Sequence, residues 1–474
     1  MLAGQAARFV VSAITFMLLA RWLGKEPFGL LAMAELVTSV VLAVGGFGFG
    51  VAVVQRPTLD GAALNRLFRI NLLLSVALWG GVTLGGAALA LFFGRPVLVP
   101  LVATLGLGVL IDNAATLHAG LTQRRMRFAA LARIEVGSVV LGCGAGLSAA
   151  AAGAGVWALA AQQGVVLTAR SVGLVRAAGP WPGRGAGVAA ADDPAYRALL
   201  AYGGGHTLAR VVKELSGRLD QLVIGRLAGV ASLGAYRNAH QWALLPLQQG
   251  LSPLTTVATA GACRRHAAGD AVAYRRYMRR AAEAAATVTV PAVVFMMVAA
   301  GPVVALVLGP DWAEAEPLLR ILSVGLLAVI PTMLLKPVMY AAGRMRPVVQ
   351  VNLMSAAWSV AGVAGGAAWG VPGIAWGVSL SRYAAAAVTL PWGRRGSAVT
   401  VADLVAPLCT PLMLSGVAGG AAWALTPAAT RLMGSTFAVV PLAAVFGGLY
   451  AGLTLSLPGP RGRVLAGLSL LRRR

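Results

Sequence analysis

The chain has 474 residues, 58% of them hydrophobic and only 11% charged, and its formal net charge is +24. That composition, with a mean hydropathy of +0.79, excludes a water-soluble globular domain and points to an integral membrane protein. The charge would suit a nucleic-acid binder only if the cations gathered on one surface, and instead they fall on alternate loops.

About 20 apolar residues cross the hydrocarbon core as a helix. Fourteen segments meet that requirement, at 3–23, 29–54, 67–92, 97–117, 134–151, 156–175, 199–224, 233–254, 284–307, 318–340, 348–369, 373–390, 404–425 and 437–457. With the first loop taken as outside, the even loops and the tail hold 25 arginines, against 6 basic residues on the odd loops. The positive-inside rule then predicts that both termini are cytoplasmic, and nucleic acid is not needed to explain the charge. Arg8 interrupts the first apolar run, so that run is expected to be a permanent helix and not a cleaved signal peptide.

Most connections are short, which leaves no room for a separate soluble domain. The exception at 177–198 begins rich in Gly, Pro and Ala and reads as a flexible cytoplasmic linker. It separates an N-terminal six-helix lobe at 1–176 from a second lobe at 199–391, followed by two further helices and a basic tail at 392–474. The basic stretch 264–283 has helical spacing and is expected to lie along the cytoplasmic lipid surface, either contacting anionic headgroups or simply setting topology.

The two lobes share a repeat. Arg21, Gly24, Gly29 and Ala34 recur as Arg226, Gly229, Gly234 and Ala239, at a constant offset of 205. A second match joins Gly106, Leu107 and Arg125 to Gly325, Leu326 and Arg344 at an offset of 219, the difference being absorbed by the longer basic loop. Two matches in the same order predict structurally related halves.

Charges inside spanning helices are costly and face either water or a partner. Read as one continuous helix, the seventh segment aligns Arg210, Lys213, Glu214, Gly217, Arg218, Asp220 and Gln221 in a single stripe. The first segment carries a weaker stripe, Gln5, Arg8, Ser12 and Thr15, which the offset of 205 carries onto Arg210, Lys213, Gly217 and Asp220. Polar groups at equivalent positions predict a cavity at the repeat interface. Arg8, Arg210, Lys213, Arg218, Lys336 and Arg382 are its candidate substrate-binding cations, suited to an anionic cargo because arginine forks grip phosphate oxygens. Glu35, Asp112, Glu214 and Asp220 are read either as ion-coupling groups or as structural partners. Arg21 and Arg226 sit at the outer ends of their helices, as snorkelling anchors or anion contacts.

Cys143, Cys263 and Cys409 show no disulfide or metal-ligand spacing, and the four histidines are scattered. No metal, cofactor or catalytic residue is expected.

Three stretches carry a family resemblance. The first is Arg21-Trp22-Leu23-Gly24 through Gly29, with Gly48-Phe49-Gly50 and Gln55-Arg56; the second runs from Leu219-Asp220-Gln221 through Gly225-Arg226, Gly234-Ala235-Tyr236 and Pro246. The third is Leu308-Gly309-Pro310-Asp311-Trp312, ending at Gly343-Arg344. Together they make the chain similar to bacterial polysaccharide transporters, the lipid-linked oligosaccharide flippases of the superfamily that also holds multidrug extruders and the lipid II flippase. The resemblance implies an all-α polytopic fold of about 14 transmembrane helices in the bacterial cytoplasmic membrane. It also implies alternating access and transfer of an undecaprenyl-pyrophosphate-linked sugar unit to the outer leaflet. The implied partners are that lipid-linked oligosaccharide, the phospholipid bilayer and a polysaccharide polymerase or other assembly protein. Gly46 stands where the family often has an acidic residue, which leaves the coupling ion open.

Two other classes compete with the flippase reading. A multidrug extruder of the same fold would favour an acidic or aromatic cavity for organic cations. A membrane enzyme or a non-transporting scaffold of polysaccharide assembly is the other, but the outer acidic cluster Asp311, Glu314 and Glu316 has no histidine beside it to define a reaction.

Overall fold

In hydrocarbon every backbone donor and acceptor must be satisfied within its own segment, so apolar Leu-, Val- and Ala-rich runs of this length have helix as their only open-chain solution. The computed structural model describes residues 2–45, 61–178, 214, 216–343 and 345–457. Every secondary-structure element among them is helical, and each of the fourteen expected segments coincides with at least part of a helix. Among the described residues, nine stretches are long and apolar enough to cross a membrane. The chain is thus an all-α, polytopic membrane protein.

Contacts divide it into two compact units, Met1–Gly234 and Ala235–Arg474. The first contains α1 (Leu2–Leu23), α2 (Lys25–Gly45), α3 (Gly61–Phe93), α4 (Leu98–Ala114), α5 (Thr116–Arg124), α6 (Phe128–Ala151), α7 (Val156–Ala178), α8 (Leu219–Leu227) and the start of α9 (Gly229–Pro246). The second holds the rest of α9, then α10 (Ser252–Ala267), α11 (Ala271–Val298), α12 (Ala300–Val307), α13 (Ala315–Ala341), α14 (Met345–Gly366) and α15 (Gly370–Gly393). It closes with the short α16 (Val401–Val405), α17 (Cys409–Phe437) and α18 (Val439–Ser456). Most of the expected linker, residues 179–198, lies outside the described residues.

The packing repeats as the sequence does. In the first unit α3 packs on α4, α4 on α7, α6 on α7 and α2 on both α3 and α4. Three of these pairings recur in the second unit, as α11 on α13, α13 on α15 and α14 on α15, while α10, which follows the counterpart of α2, packs on both α11 and α13. The two final helices are an addition, with α17 packing on α11 and α18 on α17.

The motif repeated at the offset of 205 is a helix-turn-helix in both copies. Gly24 and Gly229 stand at the turns with φ of 72° and 84°, a left-handed conformation that favours glycine. Within the first unit the two copies also meet. A Cβ on Gly29 would lie 1.9 Å from the Val230 carbonyl oxygen, and one on Gly234 would lie 2.3 Å from that of Lys25. Lys25 and Val230 are themselves separated by the repeat offset, so the crossing is its own counterpart under the repeat. Backbone contact of this kind is how membrane helices gain dispersion energy where no hydrophobic effect operates between them. With α8 also packed on α2, the second copy of the motif as far as Gly234 belongs to the first compact unit.

Two expectations change. The basic stretch 264–283 is helical, but it is not one helix on the lipid surface. Gly269, at φ 74°, turns the chain between α10 and α11, and the Asp270 carboxylate caps α11 by accepting from the Ala273 amide at 2.8 Å. Arg275, Arg276, Arg279 and Arg280 therefore ride on the exposed side of a helix that continues into the span, while Tyr274, Met278 and Ala282 bury the other side. The seventh segment is also not one continuous helix: Gly217 and Arg218 form a turn and α8 starts at Leu219. The Ser216-Gly217 pair explains the break, since glycine is among the weakest helix formers.

Replacing Gly29 or Gly234 by alanine forces a methyl group into backbone and is expected to cost about 1–3 kcal/mol or more, read as a fall in Tm of the detergent-purified protein. Gly80, with nothing within 4 Å of its Cβ position, should accept alanine without a fall.

Candidate functional site

The fourth span is interrupted at Ala115, between α4 and α5. A break in a membrane helix exposes carbonyls that need donors. Asn71 of α3 supplies its side-chain amide to the Asn113 carbonyl at 2.7 Å, and the Ser171 hydroxyl of α7 donates to the Ile111 carbonyl at 3.3 Å. These contacts hold Asp112, at the break, against the residue preceding Ser171.

That residue, Arg170, is the hub of the site. Its guanidinium Nη1 donates to Asp112 Oδ1, and its Nε donates to Glu135 Oε1 of α6 at 2.8 Å. Arg8 of α1 donates to the other oxygen of Glu135 at 3.2 Å. Four helices are thereby tied by two arginines and two carboxylates.

Two turns earlier on the same face of α7, Gln163 donates to Glu35 Oε1 of α2 at 3.2 Å. Arg218 approaches the second oxygen of Glu35 at 3.7 Å and donates through Nε to Glu214 at 2.9 Å. The first unit therefore carries two intramembrane clusters along one face of α7, which together hold three arginines, Arg8, Arg170 and Arg218, and four carboxylates, Glu35, Asp112, Glu135 and Glu214.

The second unit holds a smaller polar bridge. Arg382 of α15 sits with Nη2 2.9 Å from Nε2 of His240 on α9, and its Nη1 faces the Leu322 carbonyl at 3.5 Å. As guanidinium can only donate, the His240 Nε2 accepts. Tyr236, fully buried, stacks on the imidazole with ring centroids 6.1 Å apart. Glu35 and His240 are 205 residues apart, and Gln163 and Arg382 are 219 apart, the two offsets at which the sequence repeats. The α2 to α7 bridge and the α9 to α15 bridge are thus one repeated contact with different chemistry.

Of the expected cations, Arg8 and Arg218 belong to these clusters, Arg382 belongs to the second unit's bridge, and Lys336 lies partly buried on α13. Arg210 and Lys213 fall outside the described residues. Asp220 is buried at the start of α8, where its carboxylate accepts from the Gln221 amide at 2.8 Å. Arg21 and Arg226 occupy the exposed last turns of α1 and α8, and Arg226 stands 5.9 Å over the Phe92 ring. Sequence reasoning missed Arg170, Glu135 and Gln163. All three lay inside expected spans, and the seven-residue spacing of Gln163 and Arg170 was the available signal.

Similarity to known proteins agrees with this architecture. The family model described as polysaccharide biosynthesis protein matches residues 18–317, and that of the lipid II flippase MurJ matches residues 205–447. The teichuronic acid biosynthesis protein TuaB of Bacillus subtilis (strain 168) is 26% identical over 60% of this chain and 58% of its own length. The lipopolysaccharide biosynthesis protein WzxC of Escherichia coli (strain K12) is 24% identical over 65% of this chain and 61% of its own. The chain thus aligns with about three-fifths of these relatives. In fold, the lipid II flippase MurJ in its inward closed conformation superposes with a TM-score of 0.71 at 11% identity, covering 96% of this chain and 98% of that one. An inward-facing multidrug resistance MATE family transporter of the MOP superfamily gives 0.61 at 16% identity, over 82% and 94%. With a helical repeat on two offsets, paired intramembrane charges and a family match over more than half its length, the chain belongs to the family described as polysaccharide biosynthesis protein.

Proposed function

We propose that this protein is a flippase that carries an undecaprenyl-pyrophosphate-linked oligosaccharide across the bacterial cytoplasmic membrane for cell-surface polysaccharide biosynthesis, by alternating access. The observation that carries the reading is the pair of arginine clusters of the first unit. Guanidinium groups within a span are expensive unless they serve a polar path, and Arg170 presents a fork that a phosphate engages as readily as a carboxylate. On this reading the pyrophosphate displaces Asp112, Glu135 or Glu35 from arginine, and Arg210 and Lys213 extend the cationic path. The released carboxylates take up a proton or metal cation, which couples cargo to ion. The relatives named for teichuronic acid and lipopolysaccharide biosynthesis support a surface polysaccharide as the product. No covalent chemistry is called for. Cytoplasmic termini, lobes at 1–176 and 199–391 joined by the 177–198 linker, and a polymerase as receiving partner complete the proposal.

The carboxylates of the two clusters outnumber their arginines by one, and that excess lends support to a second reading, an extruder of organic cations. The two are separated in proteoliposomes. A fluorescent undecaprenyl-pyrophosphate oligosaccharide should be flipped by the native protein and at least about tenfold more slowly by Arg218→Ala, a loss of ~1.4 kcal/mol. Transport of an organic cation with no response to the lipid-linked sugar would reverse the order.

Arg170→Gln leaves Asp112 without its guanidinium partner and Glu135 with Arg8 alone, in a partly screened site where the side chains of Arg170 and Asp112 are 29% and 18% exposed. The expected loss of stability is about 1–3 kcal/mol. Adding Asp112→Asn should restore much of the Tm while flipping stays lost; recovery of flipping together with stability would reduce Arg170 to a structural tie.

A further inference from the structure

The two C-terminal helices lie outside the repeat, and where α17 and α18 approach α11 they form a partly open cavity of about 10 Å3 lined by Glu283, Thr287, Thr410, Tyr450 and Thr454 with proline and leucine walls. A volume of that size admits one occupant about as large as a water molecule.

The hydroxyl protons decide which occupant suits it. Thr287 donates to the Glu283 carbonyl at 2.7 Å, Tyr450 to the Thr287 carbonyl at 2.9 Å, and Thr454 to the Tyr450 carbonyl at 2.6 Å. Each hydroxyl has a single proton, so all three are committed and each offers only lone pairs to the cavity. The Glu283 carboxylate, paired with Arg279, likewise presents acceptor oxygens. Its side chain is 18% exposed, and Arg279 reaches Oε1 at 3.5 Å from a side chain that is 59% exposed. Four residues from two helices thus converge lone pairs and one negative charge on a water-sized space.

We infer that this cavity is a binding site for a monovalent cation the size of sodium, held by the Glu283 carboxylate and the Thr287, Tyr450 and Thr454 hydroxyl oxygens. One carboxylate with neutral oxygens balances a single charge, whereas calcium takes six to eight oxygens and gathers several carboxylates. The lining has no histidine or cysteine to favour a transition metal. A cation there links α18, which contributes Tyr450 and Thr454, to α11, which contributes Glu283 and Thr287. The site is separate from the arginine clusters and stands whether or not the protein moves a lipid-linked sugar.

Thermal unfolding of the purified full-length protein at constant ionic strength tests this, with sodium, potassium or N-methylglucamine chloride as the salt. Sodium should raise Tm saturably above N-methylglucamine and exceed potassium, because binding to the native state alone stabilises it by mass action. In Glu283→Gln the sodium midpoint should move up by about tenfold or more, and Thr454→Val and Tyr450→Phe, which each remove one oxygen and keep the shape, should shift it in the same direction. Equal Tm in all three salts would make the occupant water and overturn the inference. So would a potassium response as large as that of sodium, or a sodium response unchanged in all the variants.

Discussion

A charged side chain in hydrocarbon costs several kcal/mol unless it finds a partner or water, and that penalty organises the first unit. Arg170 cannot stand alone on α7, so Asp112 and Glu135 are brought to it from α4 and α6. Asp112 reaches it from a helix break, and a break needs its carbonyls satisfied, which is the work of Asn71 and Ser171. Arg8 of α1 then shares Glu135. Arg170 and Glu135 each hold two partners, so a change at one end of the chain of contacts is felt along it and its energy does not divide into pairs.

The repeat supplies the frame for that chemistry. Three helix pairings recur between the units, and the left-handed glycines recur at the paired turns. The repeated contact is carboxylate to amide between α2 and α7 and imidazole to guanidinium between α9 and α15. Duplication preserved the geometry, where backbone approach at Gly29 and Gly234 tolerates no added atom. Side-chain chemistry diverged, because exchanging polar groups of similar reach between two helices leaves their packing intact.

Much of the fold was legible in the sequence because bilayer thickness sets a length and apolar composition meets it; all fourteen segments have a helical counterpart. The repeat was legible because Gly24 and Gly229 are needed at φ values other residues resist. The site was legible only in part. Arg8, Arg218, Glu35 and Asp112 were found as charges inside spans, but their partners were not, since pairing depends on which helices pack and periodicity describes one helix at a time. Arg170 and Glu135 lay near the ends of their expected segments, where a charge resembles an interfacial anchor. The stripe drawn through the seventh segment assumed unbroken helix and missed the turn at Gly217, because a single glycine lowers helix stability without dictating a break.

Pairing alters what an arginine can do for an anion. An unpaired guanidinium in a low-dielectric site would hold a pyrophosphate strongly and release it slowly, whereas transport needs binding favourable enough to enter and weak enough to leave. Arg170 and Arg218 already hold carboxylates, so an entering phosphate gains only the difference between two charge-assisted contacts. That difference is small, and its sign depends on whether the displaced carboxylate is neutralised. A proton or metal cation delivered to Asp112, Glu135 or Glu35 would favour the phosphate, and its departure would favour release. The four carboxylates are therefore as much a part of the proposed anion path as the three arginines, and the carboxylate excess that first suggests a site for cations is what would let an anion leave.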